Sequence, residues 1–220
     1  MSIKSVPTRG RTLDGAAPIY DIFEPMLLLG KQKKINDQVI SLLGVEASHR
    51  ILDIGCGTGV LTEKVSKRLS AEEGGYVVGI DAAAKMVEAG RRRRESDVCR
   101  FEVAAAEKLP FESEILDSAF STFFFHHVPA DLKLKGLEEA YRVLKPGGRL
   151  VIVDMHIPTT LLGALTSHIS RWLLFQPQIG ENIRGILPGL IEEAGFETPE
   201  LVTEHLGYVA VFLTYKKSDP

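Results

Sequence analysis

Cysteine is scarce in this chain: Cys56 and Cys99 are its only two among 220 residues. Neither belongs to a C-x-x-C pair or stands at ligand spacing from histidine, so there is no metal site to read and no disulfide framework. A reducing, cytoplasmic setting is the expectation. No apolar stretch reaches 18 residues, which leaves no spanning helix to expect. The opening residues, MSIKSVPTRGRTLDG, lack the apolar centre of a signal peptide. Charge of one sign is also lacking. Twenty-six basic residues face 29 acidic ones, a net −3, so no basic field supports nucleic acid as a partner. There is no repeat and no low-complexity tract. What is there, 45% apolar and 25% charged residues, is the composition of a soluble domain with a sizeable core.

Residues 1–18 are polar and hold Pro7, Gly10, Gly15 and Pro18, which reads as a flexible arm. An apolar pattern begins at Ile19, Tyr20, Ile22 and Phe23. Residues 26–43 then read as a helix, with Leu28, Ile35, Val39 and Leu42–Leu43 on one face and Lys31, Lys33 and Lys34 on the other. Together, 19–45 form an N-terminal helical cap. Five apolar runs follow: Ile51–Ile54, Tyr76–Ile80, Arg100–Val103, Ser118–Thr122 and Arg149–Val153. Helical patterns at about Val60–Leu69, Ala84–Arg94 and Leu132–Val143 lie between them. A turn at Pro146-Gly147-Gly148 precedes the fifth run. Strands alternating with helices predict right-handed βαβ units and a doubly wound, mostly parallel α/β sheet. The runs are nearly continuous, as in strands covered on both faces. Past residue 154 come an apolar helical pattern over 159–175, a second over 183–194, and terminal strands within 195–216, including Tyr208–Thr214. These last predict antiparallel pairing at one edge.

The sharpest motif is ILDIGCGTG, residues 51–59. A buried strand delivers Asp53, then Gly55, Gly57 and Gly59 turn the chain into a helix. Glycine suits positive φ and close approach of backbone to a ligand. The N–H groups of the helix start suit a carboxylate or phosphate. The second strand ends at Asp81, where an acid can hold a ribose diol and also cap the next helix. The G-x-G-x-G spacing differs from the dinucleotide fingerprint, and there is no P-loop lysine.

With these residues the chain resembles the class I S-adenosylmethionine-dependent methyltransferases. The likeness continues in order through Asp81-Ala82-Ala83-Ala84-Lys85-Met86, AAAEKLPF (104–111), Thr122-Phe123-Phe124-Phe125-His126-His127-Val128 and Leu144-Lys145-Pro146-Gly147-Gly148. In motif order it is most similar to the quinone C-methyltransferase and phospholipid N-methyltransferase type. The resemblance implies one Rossmann-like domain with a seven-stranded sheet, a cofactor core over 50–154 and a substrate-side helical insert over 155–190. S-adenosylmethionine is the implied cofactor and S-adenosylhomocysteine its product. Asp53, Gly55, Cys56, Gly57, Thr58 and Gly59 would hold the methionine part, and Asp81 with Ala82 the ribose. Met86, Ala105, Ala106 and Glu107 would surround the adenine, and Thr122 the sulfonium end. Tyr20 would lie over the cofactor. At Ala105 the family often has an acid that contacts the adenine amine. Here it is missing, and Glu107 follows two residues later.

Methyl transfer needs in-line positioning more than covalent help, and a base only when the acceptor must lose a proton. His126, His127, Asp154 and His156 are the candidate bases, with His126, His127 and Asp154 at the carboxyl edge of the sheet. Arg91–Arg94 reads as a solvated helix end, where cations suit the dipole. The insert carries Leu161, Leu162, Leu165, Ile169, Trp172, Leu173, Leu174 and Phe175 with one charge, Arg171. Three uses stay open: a cover over a small lipophilic acceptor such as a quinone or lipid, contact with a membrane surface, and a homodimer contact or plain core. Two cysteines disfavour arsenite methylation. A non-catalytic nucleoside-binding protein of the same fold is the alternative, and a nicotinamide dehydrogenase fits the loop spacing poorly.

Overall fold

A computed structural model describes residues 4–10, 30–173 and 177–218. Tyr20 lies outside them, as do Ile19, Ile22, Phe23, Leu28, Leu174 and Phe175. The elements run α1 (Gln32–Leu43), β1 (Arg50–Ile54), α2 (Val60–Ser66), β2 (Tyr76–Asp81), α3 (Ala84–Arg94), β3 (Cys99–Val103), β4 (Leu116–Thr122), a 3-10 turn (Phe125–His127), α4 (Ala130–Val143), β5 (Leu144–Met155), α5 (Leu161–Leu173), α6 (Pro177–Asn182), α7 (Ile186–Glu193), β6 (Glu200–His205) and β7 (Val209–Tyr215).

The seven strands form one sheet in the order β3-β2-β1-β4-β5-β7-β6. The pairs β1–β2, β2–β3, β1–β4 and β4–β5 are parallel, while β7 runs antiparallel to both its neighbours. The antiparallel pairing thus lies at one edge, with β6 outermost. Strand order reverses between β1 and β4, and ligands bind beyond the carboxyl ends at such a reversal.

The continuous apolar runs have a simple cause, because adjacent residues of one strand serve opposite cores. Ile51, Val77 and Val151 pack with Ile35, Val39 and Leu43 of α1 and with Leu61 and Val65 of α2. Leu52, Val78 and Ile152 pack on the other face with Leu137 and Val143 of α4 and with Leu187 and Ile191 of α7. Each such side chain contributes roughly 1.5–3 kcal/mol when fully buried.

Two expected features differ. Pro146-Gly147-Gly148 does not precede the fifth strand but lies inside it. Leu144 pairs with Leu116, and the ladder resumes at Arg149 opposite Ser118, so the segment bulges from the sheet. Gly147, at φ +74°, permits that bulge, and hydrogen bonds between 147–148 and Lys216 hold it. Arg91 and Arg94 are not a solvated end: Arg91 donates to the Phe101 carbonyl and Arg94 to the Thr58 carbonyl at 3.0 Å, bracing the glycine loop.

Candidate functional site

The loop after β1 is built on positive φ: +74° at Gly55, +54° at Gly57 and +83° at Gly59. Space imposes glycine as well. A Cβ on Gly55 would sit 2.4 Å from the Phe124 ring, and one on Gly59 would sit 2.2 Å from Phe101. The N–H groups of Gly55 and Cys56 both donate to the Ile80 carbonyl at 2.9 Å, which ties the loop to the end of β2. Burial, with Asp53 and Asp81 nearby, pushes the Cys56 thiol well above its usual range, so it stays a neutral thiol.

Two clefts meet at this loop and share Gly55 and Gly57. The larger encloses about 630 Å³, open solvent included, and is lined by Asp81, Ala82, Met86, Ala105, Ala106 and Glu107 with Phe123, Phe124, His127 and Val128. The smaller, about 370 Å³ on the same measure, is lined by Asp53, Cys56, Thr58, Thr122 and Gln32 of α1. An extended molecule with two dissimilar ends, one flat and one polar, fits this pair of clefts. The Asp81 carboxylate is held in place by the Ala83 N–H at 2.8 Å and by the Gly57 N–H at 3.1 Å. Asp53, buried beneath the smaller cleft, accepts from the Thr62 hydroxyl at 2.6 Å.

Residues 4–10, part of the arm read as flexible, are hydrogen-bonded along the larger cleft. The Val6 N–H donates to the Ala82 carbonyl, and the Ala84 N–H donates to Ser5 Oγ. Thr8 Oγ1 donates to Glu107 Oε1 at 2.8 Å, and Arg9 pairs with Asp131. Thr8 and Gly10 complete the cleft wall.

Past β4 the chain makes a tight 3-10 turn, with Phe123 at φ +55°, that presents two histidines. His126 Nδ1 lies 2.8 Å from Asp154 Oδ1 on β5. Asp154 is fully buried and also accepts from the Met155 N–H at 2.7 Å and from Asn182 Nδ2 at 3.2 Å. Burial pulls its pKa up, but the charge and hydrogen bond of His126, the Met155 N–H and the charge of His127 outweigh it. The carboxyl therefore sits below its ordinary value. An ionised Asp154 fixes His126 as the Nδ1–H tautomer. Nε2, with no partner among the described residues, is then the lone-pair nitrogen. The ring of His127 lies 4.0 Å from that of His126 and faces the larger cleft. His156 stands apart from this pair, edge-on to Phe212 at 5.1 Å.

The insert covers the histidine turn, with α6 on the turn and α5 on α6. Lys133 of α4, fully buried, donates to Glu181 of α6. Burial lowers the Lys133 pKa, and Glu181 partly offsets this. Helix α5 is inverted in polarity. Gly163 abuts the Gly207 carbonyl and Ser167 is buried, whereas Leu161, Leu162, Leu165 and Ile169 are 50–93% exposed.

Apart from Tyr20, every cofactor-side residue singled out in the sequence either lines the two clefts or builds their loop. Thr8, Gly10, Phe124, Gln32 and Asn182 were not legible, because they reach the site from distant elements. Only the apolar and aromatic run 122–128 hinted at the Phe124 wall.

A methyltransferase-domain family model matches residues 52–152. The ubiquinone/menaquinone biosynthesis C-methyltransferase of Methylococcus capsulatus is 31% identical, over 92% of this chain and 89% of that protein. The enzyme of the same name from a Geobacter species is 33% identical over 65% of this chain and 61% of its own length. A solved S-adenosylmethionine-dependent methyltransferase from Aquifex aeolicus superposes with a TM-score of 0.67 at 23% identity, covering 94% of this chain and all of that one. The two clefts joined at a glycine loop fit a cofactor with an adenosine end and an amino-acid end, and the chain belongs to the class I S-adenosylmethionine-dependent methyltransferases of the quinone C-methyltransferase type.

Proposed function

We propose that this enzyme methylates a ring carbon of a small, lipophilic, quinol-like acceptor in the cytoplasm. The observation that carries the proposal is the His126–Asp154 pair, next in the chain to His127, which lines the larger cleft. Relatives named for ubiquinone and menaquinone C-methylation support the acceptor class.

When bound, S-adenosylmethionine supplies an electrophilic methyl group on a good leaving group. The chain supplies position and a proton acceptor. Gly55, Gly57 and Thr58 would hold the cofactor's amino-acid end, Asp81 would accept from the ribose hydroxyls, and Met86 and Ala106 would flank the adenine. Thr122 would border the reacting end. His126 Nε2 takes the proton from the acceptor's ring hydroxyl, and Asp154 holds Nδ1–H and stabilises the resulting imidazolium. The electron pair left on oxygen makes the neighbouring ring carbon nucleophilic. That carbon would accept the methyl group, the cofactor's sulfur keeping the S–CH₃ bonding pair. The ring carbon then loses its own hydrogen as a proton, the oxygen is reprotonated from His126, and one proton leaves to solvent. The exposed leucines of α5, next to the element that covers the histidine turn, offer contact to an apolar tail.

Incubation with S-adenosylmethionine and a chemically reduced 1,4-naphthoquinol bearing a short alkyl chain and a free ring position tests this. The expected result is S-adenosylhomocysteine and a ring-methylated product by mass spectrometry. An O-methyl ether, or no turnover, would overturn it.

A further inference from the structure

Leu161, Leu162, Leu165 and Ile169 recur at helical spacing along the outer side of α5. They are four of the six large apolar side chains left exposed among the described residues. A contiguous apolar stripe of this kind marks a surface that a partner covers. The chain beside it is basic. The Thr159 N–H donates to the Gly207 carbonyl at 2.9 Å and the His156 N–H to the Tyr208 carbonyl at 2.8 Å, which stitches the turn between β6 and β7 to the start of the insert. The same turn meets α1: His205 Nε2 lies 3.0 Å from Gln38 Oε1, and Leu206 packs on the core that holds Ile35 and Val39. Burial, then the charges of Lys34 and Lys31, hold His205 below its ordinary pKa, so both ammonium groups stand near this turn. Lys31, Lys33 and Lys34 are exposed, and no acid among the described residues pairs with them. The acid beside the turn, Glu204, acts on His156. Positive charge at the start of α1 opposes its dipole, so the helix itself gains nothing from it. Stripe and lysines both lie at the carboxyl edge of the sheet, where β7 begins opposite Met155 and Gln32 lines the smaller cleft.

We propose that the α5 stripe and the α1 lysines form one docking surface for an anionic lipid bilayer. The leucines enter the boundary between headgroups and acyl chains, and the ammonium groups meet lipid phosphates. Buried apolar area and attraction to anionic lipid add in such a contact. The lysines call for an anionic partner. The choice of a bilayer over an acidic protein rests on the lipophilic acceptor proposed above, which partitions into bilayers. Docked this way, the edge of the sheet where the clefts open faces the source of that acceptor.

The test is co-sedimentation of the full chain with phosphatidylcholine vesicles, with and without phosphatidylglycerol, in the absence of quinol and cofactor. Wild type is expected to bind the anionic vesicles about tenfold or more tightly than the neutral ones, and to lose that advantage in high salt. Leu161→Ser with Leu165→Ser should weaken binding to anionic vesicles by about tenfold or more. Lys31→Gln with Lys34→Gln should weaken it by about tenfold or more and narrow the difference between the two vesicles. Lys67→Gln with Arg68→Gln removes the same charge at the far end of α2 and should stay within about twofold of wild type. Thermal melts of each variant establish that it is folded. Failure to bind anionic vesicles overturns the proposal, and so does a loss in the α2 control as large as in the α1 pair. A wild-type dimer in sedimentation that the leucine pair dissolves, with vesicle binding unchanged, gives the face to a second copy and also overturns it. The naphthoquinol experiment uses a short-chain acceptor and no vesicles, so failure of one reading is distinguishable from failure of the other.

Discussion

His126, in the turn after β4, and the buried Asp154 of β5 are joined by a 2.8 Å Nδ1–Oδ1 contact, and Asn182 closes the carboxylate from the insert. If His126 is the base, Asp154→Asn should lower kcat by about 10²–10⁴-fold, the range of general-base catalysis. The KM for S-adenosylmethionine should stay nearly constant, because Asp154 lines neither cofactor cleft. His126→Gln should match it. A kcat in His126→Gln within about twofold of wild type would leave the pair a structural role only.

The same carboxylate predicts an acid-stability signature. Its folded pKa is depressed, so its contribution is fully present above the unfolded carboxylate value of about 3.9 and is lost as pH falls through the folded value. Urea denaturation at neutral pH should find Asp154→Asn less stable by about 1–3 kcal/mol. The gap should narrow below about pH 4. A gap independent of pH would show that ionisation of Asp154 is not its source.

Asp81→Ala removes the proposed ribose acceptor together with the anchor of the Gly57 and Ala83 N–H groups. Affinity for S-adenosylhomocysteine should fall by about 1.5–3 kcal/mol, roughly tenfold to 150-fold, measured by calorimetry. A change under twofold would take the ribose away from this residue.

Gly55→Ala and Gly74→Ala share one backbone problem but not one packing problem. Both glycines have φ near +75°, yet a Cβ on Gly74 meets nothing within 4 Å, while one on Gly55 runs into Phe124. Gly74→Ala should cost about 1–2 kcal/mol from the left-handed conformation alone. Gly55→Ala should cost about 1–3 kcal/mol more from overpacking, read as a lower urea midpoint. Equal losses would mean that Phe124 moves aside freely.

How much of this was legible in the chain depended on the range of the interaction. The ILDIGCGTG run declared its strand, turn and helix because the glycine φ values and the apolar pattern are local properties. The central strands were legible because burial on both faces leaves a continuous apolar run. The bulge at Pro146-Gly147-Gly148 was not, since proline and glycine mark a break equally well whether it falls before a strand or within one. The acidic relations were the least visible. The sequence put Asp154 at the same sheet edge as His126 but pointed neither to their hydrogen bond nor to Asn182, and nothing near Glu107 points to Thr8. Helix α5 left several uses open in the sequence, and only the structure shows that its leucines face outward while Gly163 and Ser167 face inward.

The hydrogen bond from the Gly57 N–H to Asp81 has a mechanical meaning. The acid proposed for the ribose and the loop proposed for the amino-acid end are tied directly, and again where the Gly55 and Cys56 N–H groups meet the Ile80 carbonyl. Ordering either end therefore orders the other, and the second fragment to arrive pays less to bind. Adenosine and methionine, offered as separate molecules, should each tighten the other's binding, and Asp81→Ala should abolish that mutual help.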